Sequence, residues 1–146
     1  MATITRNVVI KAPLEKVFAF VVSPDNWTKY VTSLVDVRDL SSPAVEKGTT
    51  FVWQYRMLGM NFGGKGTVTE HVNNEKFAMK MEGGFPITEH YGFRKVDGGT
   101  ELTVEVIYET PSKIMQAVSK SGLVEKLNQK EAEAVLEKIR LMCEEL

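Results

Sequence analysis

The sequence predicts an α+β fold in which a curved antiparallel sheet of about seven strands wraps around a long C-terminal helix. Apolar and polar residues alternate with a period near two from Leu34 to Thr110, as they do in strands that bury one face. The last part of the chain carries apolar residues at three- and four-residue spacing, which is typical of an amphipathic helix. Two short helical patterns follow the first strand. With 146 residues, we expect one domain over residues 1–146.

The first three elements are predicted at the N-terminal end. A strand is expected over Thr3–Lys11 and ends near Pro13, because proline cannot donate a hydrogen bond to a strand ladder. Apolar residues at helical spacing predict a short helix over Leu14–Val22. A second short helix is predicted over Asp25–Val31, since Pro24 suits the first turn of a helix. The two helices would connect the first strand to the rest of the sheet.

The middle of the chain predicts an antiparallel meander of about six further strands with short turns. These strands are Leu34–Leu40, Thr49–Leu58, Met60–Val72, Lys76–Glu82, Ile87–Val96 and Glu101–Glu109. The Asp-Gly-Gly turn at residues 97–99 is the strongest hairpin signal. Gly63, Gly64 and Gly66 lie inside one strand, where glycine permits a bend or a bulge. We expect this bend to curl the sheet.

The C-terminal part is predicted to be helical over Lys113–Lys120 and again over Leu123–Leu146, with a break or kink at Gly122. Its apolar stripe is Ala132, Val135, Leu136, Ile139, Met142, Cys143 and Leu146. Charged residues, Glu131 among them, are expected on the other faces. Cys143 is expected to be a buried and inert thiol, because reactive cysteines need exposure and an electropositive setting.

Composition and charge exclude several classes of protein. Eighteen Lys and Arg against nineteen Asp and Glu give a net charge of −1, which offers no basic face for a nucleic acid. One cysteine cannot form an internal disulfide. The longest apolar run, Val17–Val22, is far shorter than the roughly 20 residues that span a bilayer, and the N-terminus lacks a signal-peptide pattern. We expect a cytoplasmic protein, monomeric or weakly dimeric, with no transmembrane segment and no nucleic-acid partner.

The order of these elements resembles one family of domains. The segments that carry the resemblance are Val8–Phe18, Pro24–Trp27 and Lys47-Gly48 before a long strand. With the topology, they resemble the START-like, Bet v 1-like and polyketide cyclase/dehydrase-like domains of the helix-grip (SRPBCC) superfamily, over essentially the whole chain. The resemblance implies a lipophilic small-molecule pocket between the sheet and the last helix, and no single activity.

The predicted inward faces of the strands are rich in aromatic residues and methionine. Methionine is flexible and polarisable and suits irregular apolar ligands, and ligand pockets are mostly apolar with a few placed polar groups. These side chains predict a ligand-sized cavity; the alternative is that they pack on the last helix as a filled core. The candidate ligand-binding residues are Trp53, Tyr55, Met57, Phe62, Phe77, Met79, Met81, Glu89, Tyr91, Phe93, Tyr108 and Met115.

Glu89 is the main polar candidate, because alternation places it on the same face as Tyr91 and Phe93. An inward carboxylate is costly unless it is paired or neutralised, and it can hold a ligand hydroxyl or amine or act as an acid or base. The alternative is a register slip after Pro86 that turns Glu89 to solvent. The hydroxyls of Tyr55 and Tyr108 can orient a ligand or reach water.

The two histidines, His71 and His90, are a poor metal signal, because neither a cysteine nor a spaced set of carboxylates accompanies them. We read them as surface or edge residues and expect no metal and no cofactor. Arg56 and Arg94 fall on outward faces and are expected to be solvated. The sequence thus predicts few residues that could serve as catalytic groups.

Three functions stay open at this point. The first is a carrier or binding protein for a hydrophobic small molecule such as a lipid, a quinone or a polyketide-like aromatic. The second is an enzyme of the cyclase or dehydratase type with Glu89 as its acid or base. The third is a protein-interaction module, as in co-chaperone relatives of the fold, which would expose an apolar patch or a charged groove.

Overall fold

A computed structural model describes residues 2–110 and 122–145. Over these residues every predicted strand and helix is confirmed, with ends that differ by one or two residues. The predicted helix Lys113–Lys120 lies outside the described residues. The strands are β1 Ala2–Ile10, β2 Leu34–Arg38, β3 Thr50–Met57, β4 Met60–Val72, β5 Lys76–Gly83, β6 Ile87–Val96 and β7 Gly99–Tyr108, and the helices are α1 Leu14–Val22, α2 Pro24–Tyr30 and α3 Gly122–Glu145.

The seven strands form one antiparallel sheet in the order β1-β7-β6-β5-β4-β3-β2. Strands β1 and β2 are therefore the two edges of the sheet, and α1 and α2 connect one edge to the other. The turn between β6 and β7 pairs Val96 with Gly99, as the Asp-Gly-Gly pattern predicts. With α3 packed on β1, α1 and α2, this is the predicted helix-grip fold.

The strand register departs from regular pairing at two places. One shift lies between Leu34 and Asp36 in β2, and the other between Val68 and Glu70 in β4. The pairing of β4 with β3 is regular over Gly63–Gly66, which excludes a bulge there, while the bend that these glycines permit stays a prediction. Close packing explains Gly66 instead, since a Cβ there would overlap the ring of Phe51.

The apolar stripe of α3 packs into the core of the domain. Ala132, Val135, Leu136, Ile139 and Cys143 are buried, as predicted, whereas Met142 is only half-buried. Burial raises the pKa of the Cys143 thiol to about 11, so the thiol is protonated at neutral pH and unreactive. The core of the domain therefore includes the face of α3 that the sequence predicts.

Side-chain hydrogen bonds connect α3 to the N-terminal part of the chain. The side chain of Glu131 accepts a hydrogen bond of 2.9 Å from the backbone N–H of Ser33. Further along, Lys138 Nζ donates to Thr32 Oγ1 at 2.7 Å, and Glu144 accepts from the backbone N–H of residue 11 at 3.0 Å. These contacts hold α3 against one side of the curved sheet.

Candidate functional site

The predicted ligand-binding residues lie on the inner face of the sheet. All eleven of them that the structure describes are buried, namely Trp53, Tyr55, Met57, Phe62, Phe77, Met79, Met81, Glu89, Tyr91, Phe93 and Tyr108. Met115 lies outside the described residues. Arg56 and Arg94 are exposed, as predicted. Burial fits both a lined cavity and a filled core, so the space between the side chains decides between them.

Aromatic rings occupy much of that space. Phe85, which the sequence reasoning missed, is buried in the connection between β5 and β6. Its ring centroid lies 5.5 Å from that of Tyr55, 5.8 Å from Phe62 and 6.5 Å from Tyr108. At these distances the rings contact one another. The alternation of inward and outward side chains holds only within a strand and therefore does not predict the burial of a residue in a turn. The one sequence signal for Phe85 is an aromatic residue between two glycines and a proline.

A small cavity remains between β3, β6, β7 and α3. Its volume is about 10 Å³, which is enough for about one water molecule. Its lining consists of Tyr55, Ile87, Glu89, Tyr91, Val104, Val106, Asn128, Glu131, Ala132 and Val135. Within the described residues this space is much smaller than the predicted ligand-sized cavity, because the inward side chains fill the interior themselves.

Glu89 lies at this cavity and points inward. It is 3% exposed, and it pairs in regular register with Met79 and Val106, which excludes the slip after Pro86. The hydroxyl of Tyr91 donates a hydrogen bond of 2.6 Å to Glu89 Oε2. Burial raises the pKa of the Glu89 carboxyl to about 7, the hydrogen bond from Tyr91 opposes the rise, and the charge of Glu131 adds to it.

The C-terminal helix supplies two polar residues that the sequence reasoning missed. Glu131, expected on a solvated face, is half-buried and lines the cavity together with Asn128. The Nδ2 of Asn128 donates to the backbone oxygen of Val124 at 3.0 Å, which leaves its oxygen as an acceptor. Positions 124, 128, 131 and 135 share one helical face, so the spacing itself carried the signal.

Tyrosine hydroxyls surround Glu89 on the sheet side. Burial raises the pKa of Tyr55 and of Tyr91 above the ordinary value for tyrosine, so both stay protonated donors at neutral pH. Tyr55 lines the cavity, whereas Tyr108 is buried against Phe85 and is not part of the lining. Of these residues, Tyr55 and Tyr91 are placed to contact a group bound beside Glu89.

Trp53 presents a second polar group to the interior. The residue is 1% exposed, and its indole Nε1–H finds no acceptor among the described residues. A buried donor without a partner costs about 1–3 kcal/mol. The other tryptophan, Trp27, donates to the backbone oxygen of Val21 at 3.1 Å. The interior therefore holds an unused donor at Trp53 in addition to the carboxyl group of Glu89.

The histidines take no part in this site. His71 is half-buried, with ring centroids 5.5 Å from Phe18 and 6.2 Å from Phe77, so it packs against aromatic rings more than the sequence reading expected. His90 lies on the outward face of the sheet, opposite Glu105. Over residues 2–110 and 122–145, no three His, Cys, Asp or Glu side chains come together as a metal site requires.

Over residues 2–110 and 122–145, the exposed apolar side chains occur at separate positions along the chain. The exposed large apolar side chains are spread over strands, turns and the C-terminal helix: Val9, Val35, Leu40, Leu58, Val72, Leu123 and Leu141. Single exposed apolar residues are normal on a soluble surface. In the part of the chain that is described, no helix has the length and hydropathy needed to cross a membrane.

Comparisons with known proteins agree with the fold. Residues 1–144 match the family described as "Polyketide cyclase / dehydrase and lipid transport". A search of curated proteins finds no match.

Solved structures share the fold at low sequence identity. TTHA0849 from Thermus thermophilus is 17% identical with a TM-score of 0.76, over 96% of this chain and 95% of that one. The di-domain ARO/CYC StfQ from the steffimycin biosynthetic pathway is 10% identical with a TM-score of 0.75, over 98% of this chain and 51% of that one. Ara h 8.0201 is 14% identical with a TM-score of 0.61, over 94% and 97%.

Proposed function

Because the chain belongs to the polyketide cyclase/dehydrase and lipid transport family, whose membership implies binding of hydrophobic ligands in general, we propose that it is a carrier for one such molecule. The ligand would lie between the inner face of the sheet and α3. The observation that supports this placement most directly is Glu89, a buried carboxyl group beside a cavity with otherwise mostly apolar walls. Ligand pockets combine such walls with a few placed polar groups.

A ligand larger than one water molecule requires the interior to rearrange. The flexible side chains of Met57, Met79 and Met81 line the inner face and can repack around an irregular molecule. The helix α3 packs mainly on β1, with further contacts to α1 and α2, so a small displacement of α3 would widen the space above β3 and β6. The proposal is therefore a carrier whose interior is collapsed without its ligand.

The test is direct binding of lipophilic probes by isothermal titration calorimetry, preceded by native mass spectrometry of the purified protein to identify molecules that co-purify. The probes are 1-octanol, menadione and emodin, which represent an aliphatic lipid, a quinone and a polyketide-like aromatic. Val135→Phe would fill the cavity from α3 and is expected to weaken binding at least about tenfold. Because overpacking costs about 1–3 kcal/mol, circular dichroism must show that this variant is folded.

Leu141→Phe is the matched control, because Leu141 lies on the same helix and is 47% exposed. Its affinities are expected to equal those of the wild type. If all probes fail to bind and nothing co-purifies, the carrier proposal is wrong. If Val135→Phe binds the probes as well as the control does, the ligand lies elsewhere.

One observation favours an enzyme as the second candidate. The pKa of Glu89, raised to about 7, is near the value at which a group can both take up and release a proton at neutral pH. The hydroxyl of Tyr91, hydrogen-bonded to it, would hold the carboxyl group in place. A cyclase or dehydratase reaction would then use Glu89 as its acid or base. If Glu89→Gln abolished turnover of a cyclase or dehydratase substrate but kept its affinity, this candidate would replace the carrier.

A cytoplasmic location and a monomeric or weakly dimeric state complete the proposal. The location rests on the single cysteine and on the lack of a signal-peptide pattern at the N-terminus. Sedimentation equilibrium measures the second of them directly.

A further inference from the structure

The polar groups around the small cavity share one property, which is that they can accept hydrogen bonds. Glu89 approaches the cavity from β6 and Glu131 from α3. The amide of Asn128 donates one N–H to the backbone oxygen of Val124, and its oxygen can accept a hydrogen bond from a group in the cavity. Tyr55 can accept as well as donate. The cavity lining in the described residues includes no Lys, Arg or His.

Each of the two carboxyl groups accepts one hydrogen bond within the described residues. Glu89 Oε2 accepts from Tyr91, whereas Oε1 accepts from none of the described residues. Glu131 accepts one hydrogen bond, from the backbone of Ser33. A buried carboxylate without a cation costs several kcal/mol, and a second carboxylate close by adds repulsion. Above its pKa of about 7, Glu89 is a buried carboxylate, and the cavity lining in the described residues brings no Lys, Arg or His to it, so a cation with several donors would be favourable there.

We propose that the ligand carries a protonated amine, seated in the cavity between Glu89 and Glu131, with its apolar remainder among the side chains of the sheet. This inference rests on the proposed function and narrows its ligand class. An alkylammonium head is about the size of a water molecule, for which the cavity has about enough room. It has three N–H donors, which match the carboxylates of Glu89 and Glu131 and the oxygen of Asn128.

Other head groups fit the same site less well. A fatty acid would bring a third carboxylate to Glu89 and Glu131, and like charges in a low-dielectric interior repel. A neutral alcohol has one donor and would satisfy one carboxylate while leaving the other without a partner. Charge-assisted hydrogen bonds are about twice as strong as neutral ones. The expected order of affinity is therefore amine, then alcohol, then carboxylate.

The experiment compares three probes that differ only in the head group, octylamine, 1-octanol and octanoate, by isothermal titration calorimetry at pH 8. Octylamine is expected to bind at least about tenfold more tightly than 1-octanol, a difference of about 1.4 kcal/mol, and octanoate more weakly than both. Glu89→Gln and Glu131→Gln are each expected to weaken octylamine about tenfold or more and to change 1-octanol less than about twofold.

Glu105→Gln is the matched control, because Glu105 lies on the outward face of the neighbouring strand β7 and pairs with His90. It is expected to bind octylamine as the wild type does. If the three probes bind equally, or if neither Glu89→Gln nor Glu131→Gln weakens octylamine, the amine inference is wrong while the carrier proposal stands. If menadione, emodin and all three octyl probes fail to bind and no molecule co-purifies with the protein, both the amine inference and the carrier proposal are wrong.

Discussion

The carboxyl group of Glu89 couples the stability of this protein to pH. Its pKa is about 7 in the folded state against an ordinary value of 4.5, so the folded state keeps a proton that the unfolded state releases within that window. The free energy of unfolding therefore falls as pH rises from about 4.5 to about 7. The shift corresponds to about 3 kcal/mol at about 1.4 kcal/mol per pKa unit.

Glu89→Gln should remove this loss, because glutamine does not ionise. Urea unfolding at pH 5 and at pH 7.5 measures the free energy of unfolding of the variant and the wild type. We expect the variant to gain stability relative to the wild type by about 2 kcal/mol between the two pH values, since part of the full change lies below pH 5. Glu105→Gln, on the outward face of β7, should follow the wild type. An equal fall in wild type and Glu89→Gln would show that Glu89 is not the group that titrates.

The orientation of single residues could be predicted where a regular strand carries them. Alternation alone placed Glu89 inward, and the register of β6 confirms it. Glu131 was placed on a solvated face because a charged residue on a helix usually lies there. Its contact with the backbone of Ser33 comes from α3 packing beside the end of α2. Such a contact between distant parts of the chain leaves no local pattern.

At the scale of elements, strand β4 depends on having no side chain at Gly66. A Cβ at this position would overlap the ring of Phe51 on β3, and the ring is buried and held by neighbours that include Trp27. Gly66→Ala is expected to lower the free energy of unfolding by about 1–3 kcal/mol, the usual cost of overpacking a core. Chemical denaturation gives the value.

Gly92→Ala is the control for this prediction, because Gly92 also lies inside a strand, β6. A Cβ there meets no described atom within 4 Å, and alanine restricts the unfolded chain more than glycine does. We expect no loss of stability and a gain of up to about 1 kcal/mol. A loss at Gly92 as large as that at Gly66 would mean that backbone freedom, and not the Phe51 ring, decides the effect.

Periodicity predicted every described element because each strand and helix buries one face. It did not predict where the register shifts. The shift at Val68 and Glu70 arises between β4 and β5, so it depends on two strands at once. The three glycines of β4 suggested a bend or a bulge within one strand. In the structure, a Cβ at Gly66 would overlap the ring of Phe51, and a Cβ at Gly64 would overlap the backbone of Glu82.

At the scale of the whole molecule, the amount of empty space inside the domain was the quantity that the sequence could not predict. The inner faces were correctly identified. The volume of a cavity, however, is the small difference between the volume that the sheet and helix enclose and the volume that the inward side chains fill. One side chain from a connection, Phe85, contacts three of the rings that line the interior. The cavity of about 10 Å³ beside Glu89 reflects conformations of the described side chains that no periodic pattern contains.

Val135→Ala should enlarge that cavity from the side of α3. The loss of buried methyl groups is expected to lower the free energy of unfolding by about 2 kcal/mol. If the interior is the ligand site, 1-octanol at about one hundred times its dissociation constant should raise the free energy of unfolding of the variant by about 2.7 kcal/mol. Thermal unfolding with and without 1-octanol measures both effects. Leu141→Ala, at an exposed position, should change stability by less than about 0.5 kcal/mol.

The indole N–H groups of the two tryptophans differ in their hydrogen bonding, so the intrinsic fluorescence of the protein can report ligand binding. Trp27 donates its indole N–H to the backbone of Val21, whereas the N–H of Trp53 has no described acceptor in an apolar interior. Indole emission moves to longer wavelength when polar groups can relax around the excited ring. If the part of the ligand that lies among the side chains of the sheet brings a hydrogen-bond acceptor to Trp53, the fluorescence of Trp53 would shift to the red, while Trp27 would keep a constant background.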